Sequence, residues 1–326
     1  MKDKIDAVIL FVDMNDDEWQ EKYNNYVKKK EIPNKHINNK QRFNDYGALR
    51  ALFRSLDQYA KWINNIFLVV QSYSQVPKWV NKNTVKIILH EDFIPEEYLP
   101  TFNCNTIEMH LHLIPGLSEK FIYFNDDTLL NDINYPEDYF IGDKCVCFLK
   151  EQPSNRKTNE FSSWYTNLRY SNVKELSKIF GNKLLDYVYY NSHGPTPMFK
   201  TLCAEVYNMI DIRKNMSFFR EKYNLTQELF TVYALYKRRL IWLKNSFNDN
   251  YSTRTSNDQQ YMPNHHLECK IKLFSNENKT FCMNDVFLNK LLDDEDLLYT
   301  EISELLSKRF DKISKYENSE LFVGEK

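Results

Sequence analysis

The stretch Phe121–Leu130, FIYFNDDTLL, restricts the folds open to this chain more than any other. Phe121–Phe124 is apolar without interruption, the pattern of a strand buried on both faces. It breaks into Asn125, Asp126 and Asp127, then resumes with Leu129 and Leu130. Neighbouring carboxylates at the end of a hydrophobic strand repel each other and are costly to desolvate unless a cation or a proton joins them. In an open α/β sheet, ligands bind at the carboxyl ends of the strands. Two readings follow. One is an Asn-Asp turn leading into a capped helix; the other is a hard-metal site holding a phosphorylated substrate.

The flanking sequence supplies the rest of such a sheet. Ile5–Val12, IDAVILFV, reads as a first buried strand, and it ends in a second acidic cluster, Asp13-Met14-Asn15-Asp16-Asp17. Residues 45–60 carry Leu49, Leu52, Phe53 and Leu56 at helical spacing. Arg50 and Arg54, four apart, share another face of that helix, and Arg42 precedes it. Solvated surface charge is the ordinary reading of such arginines. A phosphate near the acidic clusters gives them a second one. Ile66–Val70 and Val85–Leu89 are further strands, so the order predicts an α/β fold with a mainly parallel sheet flanked by helices. After Pro100, residues 102–114 read as a helix with Ile107, Leu111 and Ile114 inward and Glu108 and His112 on one polar side.

Beyond the acidic pair the signals thin out. Residues 151–190 are poorly patterned, apart from a helix predicted over Val173–Phe180, and read as a variable insertion serving as a lid or acceptor-binding loop. His193 stands before a Gly-Pro turn, a rigid place for a general base. Leu225–Tyr236 is a strong helix, and Phe281–Leu288 repeats the theme of an apolar run broken by Asn284 and Asp285. The expected division is an α/β catalytic domain over 1–290 and a helical tail over 291–326. The tail's apolar stripe of Leu298, Ile302, Leu305 and Leu306 suits packing on the body or on a second subunit, so a homodimer is one option.

Composition excludes several classes. With 42% hydrophobic residues the chain can bury a large core, and a net charge of −2 without a basic stripe argues against a nucleic-acid partner. Only 6 glycines are present, and neither G-x-G-x-x-G nor G-x-x-x-x-G-K occurs. The 6 cysteines form no C-x-x-C pair. The run Ala7–Val12 is too short for a signal peptide, and no segment has the length of a membrane span. The expectation is a cytoplasmic protein with free thiols, peripheral at the inner membrane face if its acceptor is lipid-linked.

Taken together, these motifs resemble the Stealth family of sugar-1-phosphate transferases, which build bacterial capsule polymers and have an animal relative that tags lysosomal glycoproteins. The first of the family's four boxes resembles IDAVILFVDMNDD at 5–17. The second, the longest, resembles RFNDYGALRALFRSLDQYAKWINNIFLVV from Arg42, then QVPKWVN, then LPTFNCNTIEMHLHLIPGLSEKFIYFNDDTLL up to Leu130. HGPTPMFK at His193 and FCMNDVF at Phe281 match the third and fourth. Two positions depart from the pattern. Met14 replaces the glycine usual after the first aspartate. Asn224, Thr226 and Gln227 stand where the third box carries an Arg followed by acidic residues, leaving Arg220 as the candidate replacement.

The resemblance implies a Rossmann-like or GT-A-like fold and transfer of a sugar-1-phosphate from a UDP-sugar to a hydroxyl of an acceptor saccharide, with UMP leaving. It implies that Asp126 and Asp127 hold Mg²⁺ or Mn²⁺, with Asp285 either a further ligand or a residue that orients His193. Arg42, Arg50 and Arg54 supply fixed positive charge. His193 takes the acceptor's proton, its ordinary pKa of about 6.5 suiting that role; a covalent phosphohistidine is the variant. Asp6, Asp13, Asn103, Asn105, Glu108, His112, Asn125 and Arg220 line the donor pocket in this scheme. The rival reading is a metal-dependent glycosyltransferase that moves the sugar itself and releases UDP. A non-enzymatic carbohydrate-binding protein accounts for the aromatic content but not for carboxylates clustered beside arginines.

Overall fold

The first strand, β1 (Ile5–Leu10), is the axis of the molecule, with Ala7, Val8 and Ile9 fully buried. The computed structural model describes residues 3–29, 45, 47–154, 164–191, 194–243, 279–282 and 295–318. Helix α1 (Asp17–Lys29) follows β1, and helix α2 (Ala48–Tyr59) packs Leu49, Leu52, Phe53 and Leu56 into the core as their spacing predicts. Gly47, at φ 77°, makes the left-handed entry into α2 that a side chain resists. Asp45 caps the helix, its carboxylate accepting from the Leu49 N–H at 2.8 Å. Strands β2 (Ile66–Val70) and β3 (Val85–Leu89) come next, then helix α3 (Cys104–His110), β4 (Lys120–Asn125) and the short β5 (Thr128–Leu130).

The second half adds β6 (Phe140–Ile141), β7 (Lys144–Pro153), α4 (Trp164–Phe180), β8 (Tyr187–Asn191), β9 (Thr196–Phe199), α5 (Lys200–Met209), α6 (Glu228–Tyr236), β10 (Leu240–Leu243), β11 (Thr280–Cys282) and α7 (Glu295–Arg309). The main sheet has the order β3-β2-β1-β4-β9, parallel throughout except for the antiparallel pairing of β9 with β4. A smaller sheet joins β10, β7 and β6, with β8 pairing with β7, and β11 pairs with β5. The expected α/β architecture with a mainly parallel sheet is therefore present. The strand order reverses between β1 and β4, because the chain runs outward through β2 and β3 and then returns to the other side of β1. That reversal opens a crevice beyond the carboxyl ends of these two strands.

Two stretches beyond the main sheet are tied into the body. The stretch expected as a variable insertion includes the end of β7, all of α4 and most of β8, and α4 buries Val173 and Leu176 completely, so much of it belongs to the body. Its helix is also longer than the sequence pattern suggested. The tail, for its part, is docked on the body. Leu305, Leu306 and Phe310 are buried, Arg309 donates to the Asn131 carbonyl at 2.7 Å, and the Asn318 N–H donates to the Trp79 carbonyl at 2.8 Å. The apolar stripe thus gives no argument for a homodimer.

Candidate functional site

At the reversal point the sequence places its two acidic clusters side by side. Leu10 on β1 is in register with Asn125 on β4, so Asp13 and the pair Asp126–Asp127 leave the sheet at one edge. No helix follows Asp127; the chain turns and returns as β5, against the capped-helix reading. A cleft of about 190 Å³ opens at this edge. Leu10, Phe11 and Val12 wall it from β1, and Tyr123, Asn125 and Asp126 from β4. Gln71, Gln75, His90, Thr101, Cys104 and Arg220 add to its polar lining.

Charge in the cleft is set by burial. Arg220 contacts the Cys104 thiol; burial alone would lower its pKa, but Cys104, Tyr165 and Glu108 raise it, so the guanidinium stays cationic. Asp126 lines the same cleft. Outside that lining, Glu108 is buried and pushed up to about 7, first by burial and then by the charge of Glu228. The Tyr123 hydroxyl lies 3.0 Å from Glu108 Oε1 and 2.6 Å from Asn125 Oδ1. Residues two apart on a strand share a face, which is why Tyr123 and Asn125 meet. At the far end, buried His90 is held neutral, its pKa pushed down to about 3 by burial and by Lys22. His90 Nδ1 and Gln71 Oε1 are both buried without a hydrogen-bond partner among the described residues. Such atoms mark where a ligand's polar groups would fit.

Of the expected site residues, Asn125, Asp126 and Arg220 line one cleft, and Asp127 stands next to it in the chain. Asp13 lies at the edge, where its Oδ1 accepts from the Asn15 N–H at 2.9 Å. Arg42, His193 and Asp285 lie outside the described residues.

Several others are placed elsewhere. Arg50 Nε and Arg54 Nε reach the carboxylate of Glu317 at 2.7 and 2.8 Å, so the anion they meet belongs to the tail. Asp6 sits at the amino end of β1, opposite the cleft, accepting from Asn64, Asn65 and Ser118. Asn103 caps α3 and ties down the segment after α5 through Ser217, Phe219 and Asn224. Asn105 is buried and, like Glu108, does not line the cleft. His112 was expected to share a side with Glu108, but α3 ends at His110 and tightens into a 3₁₀ turn, which breaks the i, i+4 relation. It packs instead on Tyr207 with ring centroids 4.7 Å apart.

Sequence reasoning missed Gln71, Gln75, His90 and Tyr123. Position after a strand's carboxyl end could have flagged Gln71 and His90. Nothing in an apolar run singles out a tyrosine whose hydroxyl matters.

A divalent ion fits this donor set only in part. Among the described residues no group of three His, Cys, Asp or Glu side chains is assembled to hold a metal. Two adjacent carboxylates at a cleft suit Mg²⁺ when substrate phosphates and waters fill the remaining positions.

Fold and cleft together define an α/β protein with a cleft at the topological switch point of a mainly parallel sheet. The family model for Stealth conserved region 2 matches residues 42–148. A capsular polysaccharide phosphotransferase of Streptococcus thermophilus is 43% identical over 143 residues, covering 43% of this chain and 59% of the relative. Capsular polysaccharide phosphotransferase WcwK of Streptococcus pneumoniae is 28% identical over 347 residues, covering 97% of this chain and 98% of the relative. Over residues 42–148 the chain thus resembles the Stealth family. Among solved structures, the glycosyltransferase GlyE of Streptococcus pneumoniae TIGR4 overlaps at 10% identity with a TM-score of 0.40, covering 97% of this chain and 66% of GlyE. The galactosyltransferase LgtC overlaps at 10% identity with a TM-score of 0.36, covering 97% of this chain and 99% of LgtC.

Proposed function

We propose that this chain is a phosphotransferase of surface-polysaccharide synthesis. It moves a sugar-1-phosphate from a UDP-sugar to a hydroxyl of an acceptor saccharide, forms a phosphodiester and releases UMP. The observation that carries the reading is the cleft at the β1/β4 switch point, lined by both Arg220 and Asp126. Phosphotransferase names among the relatives support the reaction class. His90 Nδ1 and Gln71 Oε1, without a hydrogen-bond partner among the described residues, support a planar hydrogen-bonding group, such as a nucleobase, at the far end.

In this mechanism the cationic Arg220 neutralises charge on the donor diphosphate as the bond to UMP breaks. Asp126 and Asp127 would hold Mg²⁺ or Mn²⁺, which supplies Lewis-acid stabilisation of the leaving phosphate. Apolar Phe11, Val12 and Phe102 in the cleft limit the water that could compete with the acceptor. His193 takes the hydroxyl proton as the acceptor attacks the phosphorus next to the sugar. The test is the nucleotide product. The protein is incubated with a panel of UDP-sugars, a saccharide acceptor and magnesium, and the nucleotides are separated. UMP formed in proportion to product is expected; UDP in that proportion would establish transfer of the sugar itself.

A further inference from the structure

The Tyr123 hydroxyl carries one hydrogen, yet two acceptor oxygens face it, Glu108 Oε1 at 3.0 Å and Asn125 Oδ1 at 2.6 Å. One O–H cannot serve both. Two patterns satisfy the trio. In the first, Glu108 is a carboxylic acid: it donates to the Tyr123 oxygen, Tyr123 donates to Asn125 Oδ1, and the Asn125 NH₂ is left for the cleft. In the second, Glu108 is ionised: Tyr123 donates to it, Asn125 turns over to donate to Tyr123, and the amide oxygen is left for the cleft. The other Glu108 oxygen accepts from the Gln227 N–H at 3.3 Å in both.

We propose that Glu108 is a positioning residue: as a neutral acid it acts through Tyr123 to hold the Asn125 amide with its NH₂ toward a donor phosphate, and loss of its proton reverses the amide. The proposal rests on the reading of the cleft as a diphosphate site. An amide nitrogen donates to a phosphate oxygen; an amide oxygen repels it. The groups facing Glu108 set the balance. Glu228, at the start of α6, disfavours a second negative charge; Arg220 favours it, as do the bonds from Tyr123 and the Gln227 N–H, and burial disfavours it most. From its own helix, Cys104 contacts Arg220, and both side chains line the cleft. Glu108 does not touch the cleft itself, and no proton passes to substrate.

UDP-glucose is the probe, because its diphosphate does not titrate near neutrality. Its dissociation constant is measured calorimetrically with magnesium from about pH 5.5 to about pH 8.5 for the wild type, Glu108→Gln and Tyr123→Phe. In the wild type, affinity should fall by ~10-fold through neutrality. Glu108→Gln, whose amide donates to Tyr123 at every pH, should hold the low-pH affinity throughout. Tyr123→Phe, with the link cut, should show a flat, weaker profile. Superimposed wild-type and Glu108→Gln profiles overturn the proposal. A second measurement needs no ligand: the infrared carbonyl stretch of a protonated carboxyl should be present in the wild type at about pH 6 and missing in Glu108→Gln. Absence of that difference overturns the proposal. Failure of UDP-glucose to bind any of the three proteins would instead sink the donor reading, leaving the infrared band to decide the state of Glu108.

Discussion

Two buried glutamates, Glu108 and Glu317, show opposite uses of one side chain. Glu317, on the tail, has its side chain wholly enclosed and is gripped by Arg54 through two nitrogens and by Arg50 through a third. Burial pushes its pKa up, but the arginines and the Ser314 N–H outweigh it, and the net shift is downward. It stays charged and fastens α2 to the chain's end. Glu108 is as deeply buried but has a phenol and a backbone N–H for partners, with Glu228 nearby, and it is pushed up to about 7. A buried carboxylate satisfied by guanidinium serves as structure. One left close to neutrality beside a cleft is poised to change state.

The comparison breaks most visibly at its structural end. Glu317→Ala leaves two guanidiniums facing each other without their anion and should destabilise the fold by roughly 3 to 5 kcal/mol, read from urea unfolding. A loss below about 1 kcal/mol would show that the ion pairs behave as exposed ones. At the cleft, Asp127→Asn should lower turnover by at least ~10²-fold with an unchanged unfolding midpoint; near-normal turnover removes Asp127 from its role.

Next in size is the pH dependence. Glu108 binds its proton in the folded state between about pH 4.5 and about pH 7, where the unfolded chain has released it. Stability therefore falls as pH rises through that window, by roughly 3 kcal/mol at most, and is flat above it. Glu317 acts with the opposite sign: its contribution is present above its ordinary pKa and lost as pH falls through the folded one. Glu108→Gln should remove the first slope and leave the second. The smallest effect expected is that of His112→Phe. Packed on Tyr207 and kept neutral by burial, which pushes its pKa down to about 4, His112 should be replaceable for less than about 1.5 kcal/mol with turnover unchanged. A large loss of turnover would return it to the site.

What the sequence revealed and what it hid follow the same physical line. Strands such as Ile66–Val70 and the inward face of α2 were legible because burial imposes an unbroken run or a helical period on neighbouring residues. The acidic pair was legible because two carboxylates at a strand's end have few inexpensive explanations. The role of Arg54 was not, because its partner lies 263 residues further along the chain, and no local pattern reports so distant an anion. Asp6 misled for a related reason. A carboxylate in an apolar run suggests a ligand, but the backbone N–H groups of Asn65 and Ser118, which satisfy it, have no signature in sequence. The link from Glu108 to Asn125 was out of reach because it passes through a tyrosine hydroxyl set in an otherwise apolar strand.

The claim on which the account turns is that the β1/β4 cleft, and not the arginine face of α2, receives the donor's phosphates. A crystal structure with a UDP-sugar and magnesium tests it directly. The account predicts diphosphate density between Arg220 and the Asp126–Asp127 turn, with Glu317 still seated on Arg50 and Arg54. Density beside Arg50 and Arg54, with Glu317 displaced, would contradict it.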